Sequence, residues 1–156
     1  IRHYQKFFNI CATICRFGYV YGPGISRGPI FDIFSQLSNR KKTINLFTNA
    51  YNRFDFVHVD DVIKALLLVG ISSKADFQTF NIGTGNAVSL AEIATIAAQL
   101  YNISSVKLVD MENNDFNRND SVSLALDNTK AKRTIGWEPE IRLEEGLRQL
   151  YESFRK

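Results

Sequence analysis

A chain of 156 residues, 45% hydrophobic and 22% charged, has the length and composition of one globular domain with a sizeable core. Its net charge is only +3 and its basic residues are scattered rather than striped, which argues against a nucleic-acid groove. No apolar run is long enough to span a bilayer and no signal peptide is visible, so no membrane contact and a cytoplasmic setting are expected.

Ile1 to Asn9 places His3, Tyr4, Phe7 and Phe8 at helical spacing and reads as the last turns of a helix whose beginning is missing, stopped at Asn9. The chain opens on isoleucine rather than methionine, so a piece of something longer is expected. Ile10 to Phe17 follows as a strand. Cys11 and Cys15 beside it have no neighbours for zinc and sit too far apart along a strand for a disulfide, and two buried free thiols are expected. The strand runs into R-F-G-Y-V-Y-G-P-G, Arg16 to Gly24, where Gly22, Pro23 and Gly24 make a tight turn. A strand ending in such a turn has the form of a strand end facing a ligand crevice in an α/β sheet, and equally that of a structural turn.

Pro29 opens a helix whose Ile30, Ile33, Phe34 and Leu37 share one face. Arg40, Lys41 and Lys42 form a solvated helix C-terminus. Thr43 to Phe47 is a short strand, Thr48 to Asn52 a polar turn, and Phe54 to Val59 a second strand. Asp60 or Asp61 caps the next helix, which Gly70 ends, and Ser72 to Asp76 is a loop. Phe77 to Ile82 is a strand stopped by Gly83-Thr84-Gly85. Ser89 and Glu92 have the spacing of a capping box for an amphipathic helix. Val106 to Val109 is a further strand, Glu112 to Asp120 a polar loop, and Leu124 to Leu126 a brief extended piece. A short helix capped by Asp127 or Asn128 ends at Gly136, and a last helix buries Leu143, Leu147, Leu150, Tyr151 and Phe154. Strands alternating with helices give the α/β class.

Four segments in order resemble the C-terminal half of the NAD-dependent epimerase/dehydratase family, the extended short-chain dehydrogenase/reductases that act on nucleotide sugars. They are R-F-G-Y-V-Y-G-P-G (16–24), F-D-F-V-H-V-D-D-V (54–62), F-N-I-G-T-G (80–85), and L-D-N-T-K-A-K-R-T-I-G-W-E-P (126–139) with L-E-E-G-L (143–147). The resemblance implies the C-terminal, substrate-binding portion of an extended Rossmann-type enzyme over residues 1–156. In such enzymes a tightly held NAD takes hydride from the nucleotide-linked sugar to give a keto intermediate. Its return inverts the centre, and prior loss of water makes a dehydratase. The family's glycine fingerprint and Tyr-Lys pair would lie upstream of Ile1: Tyr4 has no lysine four residues on. No catalytic residue is assigned, and the chain alone is expected to be inactive.

The same resemblance assigns Phe17 and Tyr19 to positions near the nicotinamide and the substrate, Tyr19 replacing the family's asparagine. Phe47 matches a position that lies against the nucleotide base, and a core Phe at a strand end is an equal reading. A family arginine stands where this chain has Phe54, with Arg53 one position earlier; a second aligns with Asn117, with Arg118 next to it. Arg53 and Arg118 are therefore the candidate diphosphate ligands, guanidinium being suited to phosphate. His58 reads as a packed strand residue, Asp60 and Asp61 as caps, and Trp137 as core. The expected partners are a nucleoside-diphosphate sugar and, in isolation, a second copy in a homo-oligomer or swapped dimer that covers exposed apolar surface. A free-standing binding module and a related reductase are the alternatives.

Overall fold

The computed structural model describes residues 1–111 and 121–155. Strand β1 (Ile14–Phe17) pairs in parallel with β5 (Thr79–Ile82), Cys15 opposite Phe80 and Phe17 opposite Ile82. One residue later the chain enters a different sheet. There β2 (Tyr19–Tyr21) runs parallel to β4 (Arg53–His58), which is also joined antiparallel to β6 (Ala87–Ser89) and parallel to the two-residue β8 (Ser123–Leu124). A third pair, β3 (Thr43–Leu46) with β7 (Lys107–Asp110), is parallel as well.

Gly18 makes the change of sheet. Its N–H donates to the Ile82 carbonyl at 3.0 Å, closing the β1 ladder, and a Cβ there would stand 2.5 Å from the Asp55 carbonyl oxygen. Only glycine allows that approach. The expected strand from Ile10 is therefore shorter, because residues 10–13 are irregular, and it resumes beyond Gly18 before the Gly22 turn is reached.

Helix α1 (Arg2–Phe8) ends at Asn9 in the left-handed conformation, φ 49°, and buries nothing. Helix α2 (Pro29–Ser38) starts with its proline and buries the four residues expected. Helix α3 (Val59–Ile71) departs from expectation at both ends. Its cap is His58, whose Nδ1 accepts from the Asp60 N–H at 3.3 Å, while Asp60 and Asp61 fall in the first turn; and it runs through Gly70 to Ile71. The Ser72–Asp76 segment contains a single 3₁₀ turn, Ser73–Ala75. Helix α4 (Leu90–Leu100) has the complete Ser89–Glu92 capping box, and α5 (Thr129–Ile135) stops at Gly136 with φ 68°. Helix α6 is Leu143–Ser153.

Two cores result. The larger packs Ile33 and Phe34 of α2, Ile93 of α4, and Leu147 and Leu150 of α6 around Ile44 and Phe56. The smaller surrounds the β1–β5 pair with Phe80, Ile82, Ala65, Ala131 and Trp137. Trp137 is fully buried, as expected, and its Nε1–H donates to the Asp61 carbonyl at 2.9 Å. The Asp61 carboxylate accepts from the backbone N–H groups of Glu140 (3.0 Å) and Ile141 (3.1 Å), so this acidic side chain clasps the segment after α5 to the start of α3. Both cysteines are free, but Cys11 is exposed and only Cys15 is half-buried: the irregular backbone at 10–13 leaves Cys11 outside the sheet. Among the described residues no helix is long and apolar enough to cross a membrane.

Candidate functional site

The change of sheet at Gly18 leaves a hollow of about 330 Å³ between Phe17–Val20, Asp55, Leu124 and Leu126. Phe17 ends β1 and Tyr19 begins β2, so the interruption turns both rings outward at the carboxyl end of a parallel strand, the usual place for a ligand in an α/β sheet. Phe17 is 42% exposed and Tyr19 47%. Tyr19 is braced by Phe54 (ring centroids 4.8 Å apart) and Phe56 (5.7 Å), and those two meet edge-on at 6.4 Å.

Asp55 is the floor of this arrangement. It is only 2% exposed, and its two oxygens accept four hydrogen bonds. Oδ1 takes the Thr84 N–H (2.7 Å) and Thr84 Oγ1–H (2.6 Å); Oδ2 takes the N–H groups of Gly85 (2.9 Å) and Leu126 (3.0 Å). One carboxylate thereby joins β4, the Gly83-Thr84-Gly85 turn and the Leu126 segment. A Cβ at Gly83 would lie 2.6 Å from Asp55 Oδ2, so that glycine is required for the fit. Asn128 Nδ2–H adds a bond to the Gly83 carbonyl at 2.8 Å.

Of the residues singled out from sequence, Phe17 and Tyr19 share the hollow. Phe47, just past β3, is 68% exposed, so the core alternative fails, but it does not line the hollow. Arg53 opens β4 and turns to a neighbouring hollow of about 420 Å³ with Tyr51, Ser89, Glu92 and Thr95. Its guanidinium donates to Glu92 Oε2 at 2.8 Å and to the Ala87 carbonyl at 2.9 Å. The Ser89 hydroxyl and N–H hold the Glu92 carboxyl below the usual carboxylate range, with Arg53 helping. Arg118, with Asn117 and Asp120, lies outside the described residues. His58 is buried against the Tyr21 ring, edge-on at 5.4 Å; burial pushes the Tyr21 hydroxyl well above its ordinary range. Among the described residues no cluster of His, Cys, Asp and Glu could hold a metal ion.

Sequence reasoning missed Asp55 and Leu124. Both stand in segments whose strand character was read, but only tertiary pairing sets them beside Phe17. A lone aspartate between phenylalanines in a strand, with a Gly-Thr-Gly turn elsewhere, is the signal that could have found the first.

The chain is 32% identical over 142 residues to the dTDP-L-rhamnose 4-epimerase of Burkholderia thailandensis, covering 88% of this chain and 38% of that protein. It is 29% identical to the UDP-glucose 4-epimerase of Mycolicibacterium smegmatis, covering 97% and 48%. The chain thus spans about half the length, or less, of these curated relatives. Among solved structures, the UDP-glucose 4-epimerase of Thermotoga maritima with UDP-glucose superposes with a TM-score of 0.82 at 27% identity, over 99% of this chain and 49% of that one. The UDP-glucuronic acid 4-epimerase of Bacillus cereus, solved with UDP-glucuronic acid and NAD, gives 0.84 at 22% over 99% and 48%, a likeness of fold. The sequence model described as GDP-mannose 4,6 dehydratase matches residues 1–150, and the chain belongs to that family of nucleotide-sugar epimerases and dehydratases.

Proposed function

We propose that this chain is the substrate-binding portion of an NAD-dependent nucleotide-sugar epimerase or dehydratase working through a keto-sugar intermediate. The observation that carries the reading is the hollow at the Gly18 strand change, where Phe17 and Tyr19 are exposed together at the end of a parallel strand. Buried aromatic residues would serve packing; exposed ones braced from behind serve a ligand. The 156 residues contain neither a G-x-x-G-x-x-G turn nor a Tyr-x-x-x-Lys pair, so the cofactor machinery belongs to the remainder of a longer protein and this chain alone turns nothing over.

The residues present fit one end of NAD. Phe17 and Tyr19 offer flat apolar faces for a nicotinamide ring, and the Tyr19 hydroxyl is a hydrogen-bond donor and acceptor. NAD bound there supplies the acceptor and donor of hydride. Phe17 would orient the ring, and Tyr19 would reach the sugar from beside it, leaving the face between ring and sugar open for hydride. Phe47 covers the nucleotide base, and Arg53 and Arg118 hold the diphosphate. Arg53 must leave Glu92 to do so, an exchange of one exposed ion pair for another and therefore low in cost.

Calorimetric titration with the glucose esters of UDP, dTDP, GDP and CDP tests the reading. At least one is expected to bind, about tenfold more weakly to Tyr19→Ala. Absence of binding by all four contradicts it, and unchanged affinity in Arg53→Ala removes Arg53 from the assignment.

A further inference from the structure

We propose that Arg27 is a further ligand of the nucleotide sugar, holding one of its oxyanion groups in a small recess that shares Tyr19 with the Gly18 hollow. The inference rests on the nucleotide-sugar reading above. It adds a binding residue that lies outside all four motifs of the family resemblance.

The loop that carries Arg27 is short and fixed at both ends. The Ile25 N–H donates to the Gly22 carbonyl at 3.2 Å, closing the turn after β2. The Asp32 N–H donates to the Gly28 carbonyl at 2.9 Å, closing the first turn of α2. Gly28 has φ 98°, a conformation that a residue with a side chain adopts only under strain. A backbone tied down on both sides sets Arg27 beside β2 at little further entropic cost, while its side chain remains exposed.

Two hollows meet at Tyr19. The one at Gly18, about 330 Å³, has the size of a small-molecule site. The other, about 60 Å³, is bounded by Tyr19, Ile25, Arg27, Ile30 and Phe56. That recess is too small for a sugar ring and takes a single phosphoryl or carboxylate group. Arg27 brings the positive charge to it, against walls that are otherwise apolar or aromatic. A guanidinium beside such walls is screened less than one in open water, and its planar fork matches the paired oxygens of either group. The Tyr19 ring, braced by Phe54 and Phe56, is the wall common to both hollows. A ligand whose ring occupies the larger one therefore carries an anionic group past Tyr19 to Arg27. Arg27 acts alongside Arg53 and Arg118, not in place of either.

Calorimetric titration of UDP, UDP-glucose and UDP-glucuronate into wild type, Arg27→Ala and Arg148→Ala tests this. If the wild type prefers dTDP, GDP or CDP, the same three ligands of that base are used. Arg148→Ala removes an equal charge from an exposed place on α6 and is the control. Arg27→Ala is expected to weaken binding about tenfold, with the loss shrinking at high salt. A like loss with all three ligands assigns the group to the diphosphate, and a loss confined to the glucuronate assigns it to the sugar carboxylate; either bears the proposal out. Unchanged affinity for all three in Arg27→Ala, with the fold intact by circular dichroism, overturns the inference and leaves the nucleotide-sugar reading standing. An equal loss in Arg148→Ala does the same, as does a loss with UDP-glucose that UDP does not show, which would put Arg27 on sugar hydroxyls. Failure of the wild type to bind any of UDP-, dTDP-, GDP- and CDP-glucose overturns both.

Discussion

Asp55 holds together three segments that are distant in sequence, and its loss is the most damaging single change the site can suffer. In Asp55→Ala the N–H groups of Thr84, Gly85 and Leu126 lose their acceptor in a buried place. Leaving such donors unpaired costs about 3–5 kcal/mol in all, to be read as a fall in the urea midpoint at constant slope. Gly18→Ala and Gly83→Ala both drive a methyl against Asp55, at 2.5 Å from its carbonyl oxygen and 2.6 Å from its carboxylate. Each is expected to destabilise by about 1–3 kcal/mol, and a wild-type midpoint in either would show that the contact relaxes freely. At this scale the sequence was only partly legible. Phe17 and Tyr19 could be picked out because they flank a glycine at a strand end. Asp55 could not, because its role depends on a turn 29 residues away to which only the fold brings it.

Elements were more legible where a local rule fixes them. The capping box at Ser89 and Glu92, the proline start of α2 and the glycine stop of α5 all form as their residues dictate, since each depends on neighbours within a few positions. The start of α3 did not: two aspartates were the obvious caps, but Asp61 is drawn into holding residues 140 and 141, and His58 caps instead. Ser89→Ala removes the hydroxyl half of the box and the hydroxyl's own bond to Glu92 Oε2, leaving the backbone N–H of position 89 on that carboxylate, and is expected to lower stability by about 1 kcal/mol near neutral pH. The pH dependence has a definite sign. A carboxyl held below its ordinary range in the fold stabilises above about pH 4.5 and loses that stabilisation as the pH falls further. The gap between wild type and Ser89→Ala should therefore narrow in acid; a gap that widens below pH 4 would contradict the role given to Glu92. Trp137, the only tryptophan, is fully buried beside the start of α3. Its emission should be blue-shifted in the native protein and move to the red in step with loss of helical signal on unfolding.

On the scale of the molecule, apolar surface is left uncovered. Tyr4, Phe7 and Phe8 of α1, and Ile63, Leu66, Leu67 and Ile71 of α3, are exposed. Contiguous apolar patches are rare on monomers without a partner. Under the proposed function the rest of the enzyme would cover part of this surface, and the chain alone is expected to self-associate. Light scattering checks this: a dimer or larger species is predicted, and a monodisperse monomer that binds little hydrophobic dye would count against it. The α/β class and the order of elements were readable from the alternation of strand and helix patterns, and the family from four motifs spread along nearly the whole chain. The division of the strands among separate pairings was not, because nothing local marks Gly18 as the point where the chain changes sheets.

The central claim, that the hollow at Gly18 is a ligand-facing wall, is tested most directly by amide chemical-shift mapping with UDP-glucose and the other three glucose nucleotides. The account predicts that shifts concentrate at Phe17, Gly18, Tyr19, Asp55 and Leu124 and need about tenfold more ligand to appear in Tyr19→Ala. Shifts confined to residues away from this hollow, or none at millimolar ligand for any of the four, would contradict it.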